Sequence, residues 1–171
     1  PEDSGSMLVD YVAPKMEKLE TSKPTEFTQF ARALEINPYI LSIYIAKSDN
    51  HFVQVRRVSN VRVYQDEKKG KLPAEVVYIW RSIAPKAKTE NWSYLNKNLE
   101  VIDEEQVLVT ATSNPTERDW YSSAVYKKEK TWSDVYIFKT SQTPGLTLSF
   151  PIKGTFVSTK EKSKDEEKDK D

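Results

Sequence analysis

From Tyr39 onward the chain is a succession of short runs of β-branched and aromatic residues separated by turn formers, and that rhythm restricts it to building an antiparallel sheet. "YILSIYIA" is followed by "SDN" and then by "HFVQVRRV", which reads as a β-hairpin with a buried first strand. A charged excursion, "NVRVYQDEKKGKLPAE", leads to "VVYIWRSI" and to "NWSYLNKNLEVI", which turns over at Asn96 to Asn98. "QVLVTAT" resumes the alternation. "DVYIFKT", a "TPG" turn and "LTLSFPI" complete the series, and in the last run Leu146, Leu148, Phe150 and Ile152 alternate with small or polar residues as in a half-buried antiparallel strand.

Upstream of Tyr39 the period changes from two to 3.6. In "TEFTQFARALEINP" the residues Phe27, Phe30, Ala31 and Leu34 share one helical face, so the spacing predicts a helix that ends before Pro38 and buries Phe27 and Phe30 against the sheet. Leu8, Tyr11, Val12, Met16 and Leu19 form a second helical stripe, which Pro14 kinks or restarts. Helices first and hairpin-linked strands afterwards indicate an α+β domain and not alternating βαβ units. That domain is assigned to residues 7–158. Residues 159–171 contain "KEKSKDEEKDKD", charge of both signs with no apolar residue to bury, and are expected to be a disordered tail or loop. "PEDSGSM" looks partly like a cloning remnant and is left out of the fold reading, which leaves room for a native amino terminus and a membrane anchor upstream.

Several function classes lack their raw materials. With 26 basic and 26 acidic side chains the net charge is zero, and no basic block is present, so nucleic acid is not an expected partner. No cysteine is available for a disulfide, a thiolate nucleophile or a zinc site. No apolar run approaches the roughly 18 residues of a membrane span. The four glycines are scattered, so there is no phosphate-binding loop. His51, the single histidine, lies beside "SDN" and reads as an exposed turn residue, not as a general base. Asp103, Glu104 and Glu105 read as a wet turn between strands. No enzyme, metal or cofactor is expected.

What remains is "ERDWYSSAVYKKEKTWSDVY", one arginine among two tryptophans and three tyrosines within twenty residues. A guanidinium offers a planar fork of donors that fits a carboxylate, and tryptophan and tyrosine supply apolar walls with polar tips. The residues alone leave two readings open. Either Arg118 and its neighbouring rings form an amphipathic ligand pocket, or Arg118 pairs internally while Trp120, Trp132 and Tyr136 belong to the core.

The order of motifs resembles the extracytoplasmic Cache sensor domains, most closely the membrane-distal module of double Cache receptors fused to bacterial nucleotide cyclases, histidine kinases and chemoreceptors. The likeness runs through "NPYILSIYIAKSDNHFVQVRR", "WSYLNKNLEVI", "NPTERDWYSSA" and "TWSDVYIFKTSQTPGLTLSFPI", in that order. It implies a PAS-like five-stranded antiparallel sheet with a long amino-terminal helix packed behind it. It also implies a periplasmic or extracellular location, a membrane-anchored parent, and a homodimer formed through that helix. Arg118, Trp120 and Tyr121 fall on the family's Arg-x-Trp-Tyr motif, and Tyr136 falls on its pocket tyrosine fifteen residues further on. The resemblance therefore implies that these four bind a small molecule of carboxylate or amine type, and that the domain relays a conformational change to a cytoplasmic output domain. The alternative is a Cache-like structural or dimerisation module with no ligand of its own. Two departures stand out. Ser113 replaces the tyrosine that amino-acid-binding members carry five residues before the arginine, and the Gly-x-x-Gly-x-Asp strand that closes their domain is absent.

Overall fold

A computed structural model of the chain describes residues 7, 10–14, 19, 23–58, 72–109, 114–138 and 143–152. Residues 153–171, which include the charged run, and Ser113 lie outside the described residues, as does most of the charged excursion before Leu72.

The helical face read from the sequence forms as a run of 13 residues: a 3-10 turn at Pro24–Phe27 that passes into α1 (Thr28–Ile36). Proline opens the turn because its fixed φ suits a first helical position and its missing N–H would have had no helical partner there. The helix stops at Asn37, which precedes Pro38 and takes φ −121° and ψ 87°, since the proline ring crowds its neighbour out of the helical region. Two side chains then serve the carbonyls left without helical partners. Asn37 Nδ2 donates to Ala33 O at 2.9 Å, and the Arg57 guanidinium donates to the carbonyls of Leu34, of Asn37 at 3.1 Å and of Ile40 at 3.3 Å.

The sheet comprises β1 (Ser42–Ala46), β2 (Phe52–Arg57), β3 (Tyr78–Ile83), β4 (Thr89–Leu95) and β5 (Val101–Leu108), all antiparallel and neighbouring in chain order. Phe27, Phe30, Ala31 and Leu34 bury against Ile45, Val53, Val55, Tyr78, Trp80 and Leu95, with Phe27 and Trp80 ring centroids 5.0 Å apart. Tyr78 donates its hydroxyl to Glu35 Oε1 at 2.9 Å. Burial of the Tyr78 ring, and then the Glu35 carboxylate, push that hydroxyl up to about 12.

The opposite face is built around a buried ion pair. Glu90 is 4% exposed; it accepts from Arg81 Nε at 2.8 Å and from Trp92 Nε1 at 3.0 Å. Arg81 lies between the rings of Phe52 and Trp92, its Cζ 5.4 and 5.7 Å from their centroids. Beside this pair Ile79, Trp92, Tyr94 and Val76 form a smaller apolar cluster.

Beyond the sheet lie α2 (Asp119–Lys127), β6 (Thr131–Trp132), β7 (Tyr136–Ile137), β8 (Pro144–Gly145) and β9 (Leu148–Ser149). β6 pairs with β9 and β7 with β8, so the runs "DVYIFKT" and "LTLSFPI" form short two-stranded ribbons outside the main sheet.

Several expectations need correction. The long amino-terminal helix is not shown: among the described residues before β1 only residues 10–14 and the run ending at Ile36 are helical over more than one position, and the run begins afresh at Pro24 after an extended Lys23. β1 is an edge strand and therefore partly exposed; β2, paired on both sides, is the buried member of that hairpin. His51 is not an exposed turn residue but is 2% exposed, because Asn50, at φ 71°, completes the reversal and returns His51 to the mouth of the ladder, where its carbonyl accepts from Lys47 N. Asp103, Glu104 and Glu105 form no turn; they lie within β5, an edge strand, where Ser93 Oγ donates to Glu104 at 3.0 Å and the Tyr94 hydroxyl donates to Glu105.

Phe27→Ala should lower unfolding stability by about 3–5 kcal/mol, from the lost ring burial and the cavity beside Trp80. Glu90→Ala should cost about 3 kcal/mol by leaving Arg81 without its carboxylate on a buried face. Urea denaturation midpoints read both, and a change below about 1 kcal/mol in either would contradict the packing described.

Candidate functional site

The turn between β1 and β2 anchors the segment that carries Arg118. Asn114 caps a 3-10 turn at Pro115–Glu117, accepting from Thr116 N at 3.2 Å, and Thr116 Oγ1 donates to Asn50 Oδ1 at 2.6 Å. A hydroxyl from residue 116 thus ties this segment to the hairpin turn at residue 50.

Arg118 stands at the corner between that turn and α2, in extended backbone with φ −86° and ψ 140°. Its carbonyl accepts from Tyr121 N at 2.9 Å and Ser122 N at 3.0 Å, which starts the helix. The corner is fixed by backbone bonds, and the side chain is left for other use. Two residues on, Trp120 meets Tyr44 of β1 at 4.8 Å between centroids and an interplanar angle of 64°, an edge-to-face contact. Tyr121 meets Trp120 in the same manner at 5.8 Å and 81°. The helix ends at Lys128 in the left-handed region, φ 56°, with its N–H on Ala124 O at 2.9 Å.

The β7–β8 ribbon supplies the other wall. Tyr136 is opposite Gly145, and a Cβ at Gly145 would lie 2.1 Å from the Phe138 ring, so only glycine lets the ribbon close over that ring. Phe138 in turn holds Tyr136 edge-on at 5.0 Å. Arg118 Cζ lies 6.0 Å from the Tyr136 centroid, at the outer limit of a cation–π contact. The Tyr136 hydroxyl is 2.7 Å from Thr147 Oγ1, and so is the hydroxyl of Tyr44. Thr147 is buried and is clamped by Ser133, whose N–H donates to Thr147 O at 2.9 Å and whose Oγ accepts from Thr147 N at 2.8 Å.

The four residues singled out in the sequence, Arg118, Trp120, Tyr121 and Tyr136, therefore share one cluster, together with Tyr44, Phe52 and Thr147. Among the described residues no carboxylate forms an ion pair with Arg118. Trp132 does not join it: that ring is 59% exposed, on β6, so the reading that made Trp132 a core residue is corrected. Tyr44 and Thr147 escaped sequence reasoning. Tyr44 alternates with Ile43 and Ile45, which face α1, so a large ring on the opposite side of β1 was the available signal. Thr147, a single small residue in "GLTLSF", offered none.

The surroundings of Tyr44 and Tyr121 favour the neutral form of both phenols. Burial raises the Tyr44 hydroxyl far above its ordinary value, nearby Tyr136 adds to this, and the Thr147 bond and the Arg118 charge oppose it only in part. Burial also raises Tyr121, and Asp49 raises it further. No group of three or more histidine and acidic side chains among the described residues would hold a metal ion. The arrangement offers donors, ring faces and one positive charge, the equipment for holding a small anion or a polar aromatic molecule. No family model, curated protein or solved structure matches the chain.

Proposed function

We propose that this chain is a PAS-like, Cache-type sensor domain from the extracytoplasmic side of a bacterial transmembrane signalling protein, and that it binds a small organic molecule at Arg118, Trp120, Tyr121 and Tyr136. The observation that carries the reading is that those four motif residues, from the two ends of a 19-residue stretch, fall in one cluster beside Tyr44, with Trp120 against the Tyr44 ring, Tyr121 against Trp120 and Arg118 over the Tyr136 ring, and with no described carboxylate on Arg118. A five-stranded antiparallel sheet with a helical run packed on one face supports the fold half of the reading. The parent protein is membrane-anchored and the sensor sits on the periplasmic or extracellular face of the inner membrane; no helix among the described residues is long and apolar enough to cross a membrane. The domain binds and does not catalyse. Dimer contacts through the amino-terminal helical region pass the signal to a cyclase, kinase or chemoreceptor output.

Signalling of this kind needs the ligand to contact two conformational states unequally. The site suits that demand because it joins separate pieces: Tyr44 belongs to the sheet, Arg118 and Trp120 to the α2 corner, and Tyr136 and Thr147 to the ribbons. A ligand bridging them would draw the pieces together.

A thermal-shift screen of amino acids, carboxylates, amines and purines should give a stabilising hit, and Arg118→Ala should weaken that hit by about 2–5 kcal/mol in calorimetry while leaving unfolding nearly unchanged. Arg118→Lys should restore only part, because a point charge lacks the planar fork. Equal affinity in wild type and Arg118→Ala, or silence across the screen from a folded domain, would contradict the proposal.

A further inference from the structure

The two ribbons reverse the usual division of an antiparallel pair, which turns apolar residues inward and polar ones to water. Their inward side is made of hydroxyls. Thr131 is buried opposite Ser149, whose Oγ is buried too, and Tyr136 and the buried Thr147 reach toward Tyr44 of the sheet. Successive residues of a strand point to opposite sides, and directly paired residues share a side. The outward side therefore carries Trp132 next to Thr131, Leu148 paired with Trp132, and Ile137 next to Tyr136. Val135 and Leu146 accompany them in the chain, and with Trp132 and Ile137 they are between 47% and 68% exposed, so this apolar side faces water. The chain enters it through a basic tip. Residues 125–130, the end of α2 and the turn behind it, are all exposed, and there Tyr126 is followed by Lys127, Lys128 and Lys130 against a single acid, Glu129. The tip is held in shape by Lys128 N–H on Ala124 O and by Thr131 Oγ1, which donates to Glu129 O at 3.0 Å.

We propose that this corner, the tip from Tyr126 to Trp132 together with the outward side of the ribbons, docks on an anionic lipid bilayer. Aliphatic side chains there would enter the acyl boundary, the Tyr126 and Trp132 rings would sit at headgroup level, and the lysine ammonium groups would meet lipid phosphates. Charge complementarity selects this occupant. A second copy would cover the apolar side, but it would bring a second basic tip and no surplus of acid to meet the first. A bilayer that carries negative headgroups over an apolar interior answers both halves of the surface. The same strands turn Tyr136 and Thr147 toward the Arg118 cluster, so the docking surface is distinct from that cluster, and the inference stands without any ligand bound there.

Co-flotation of the full chain with vesicles tests this. Vesicles of equal parts phosphatidylglycerol and phosphatidylcholine should carry the protein up the gradient, pure phosphatidylcholine should bind it about tenfold or more weakly, and raised salt should release it. Trp132→Ser and Ile137→Ser should each weaken binding about fivefold or more, and Lys127→Glu combined with Lys128→Glu about tenfold or more. Tyr39→Ser, which removes an exposed ring outside this corner, should bind as wild type does. All five positions are exposed, so urea midpoints should hold throughout. Phosphatidylcholine brominated in its acyl chains and mixed into the anionic vesicles should quench tryptophan fluorescence. Trp132→Phe, which keeps a ring, should still bind yet lose most of that quenching. A folded chain that ignores anionic vesicles would overturn the proposal, as would binding unmoved in Trp132→Ser and in the lysine double variant. A dimer that forms without lipid and is abolished by Trp132→Ser would overturn it too, by making a second copy the cover.

Discussion

The structure depends on closing one face of the five-stranded sheet with the apolar stripe of a short helix. Phe27, Phe30 and Leu34 are almost wholly buried against Val53, Val55 and Trp80, and without them the sheet would present a row of aliphatic and aromatic side chains to water. A nine-residue helix is marginal on its own; its packing face is what makes it persist. Arg57 adds direction to that packing. By donating to three carbonyls at and beyond the end of α1 it ties the helix to β2, so helix and sheet register are set together.

With α1 on one side, the alternation of the strands sends Tyr44, Phe52, Arg81 and Trp92 to the other. They form a continuous path: Tyr44 on Phe52 at 5.8 Å, Phe52 under Arg81, and Arg81 on Glu90 and Trp92. Glu90 neutralises the arginine deep in that face, whereas Arg118, at the β1 edge, has no described carboxylate. The contrast between the two arginines is the physical basis of the proposed site. One cation is spent on structure, and the other is held by a backbone corner next to rings, where an incoming anion would find it only partly hydrated.

Legibility in the sequence followed how local each signal was. The stripe of α1, the hairpin turn at Asn96 to Asn98 and most of the strand content of residues 42–57 and 78–102 depend on neighbours within a few positions and were readable. Burial of His51 was not, because it depends on the left-handed turn at Asn50 and on what the folded hairpin packs against. The carboxylates of β5 misled for another reason: three consecutive acids fit an exposed edge strand as well as they fit a turn, and only the pairing with β4 distinguishes the two. In the site, Arg118, Trp120, Tyr121 and Tyr136 stood out as a dense local cluster and as a motif, whereas Tyr44 and Thr147, 103 positions apart, meet only through tertiary packing. Most of the charged excursion, Ser113 and the run from Lys160 lie outside the described residues.

The central claim is that a small anion enters between the β1 edge and the α2 corner, on the side of the sheet away from α1. Titration of benzoate or butyrate into protein labelled with 13C in its tyrosine and tryptophan rings tests this most directly, because Trp120 lies in the cluster whereas Trp80 and Trp92 are buried in the two faces of the sheet and Trp132 is exposed. The account requires shifts in the rings of Trp120, Tyr44 and Tyr136 that saturate together, while Trp80 beneath Phe27 and Trp92 beside Glu90 stay in place. Saturable shifts centred on Trp80 or Trp92, with Trp120 and Tyr44 unmoved, would contradict it.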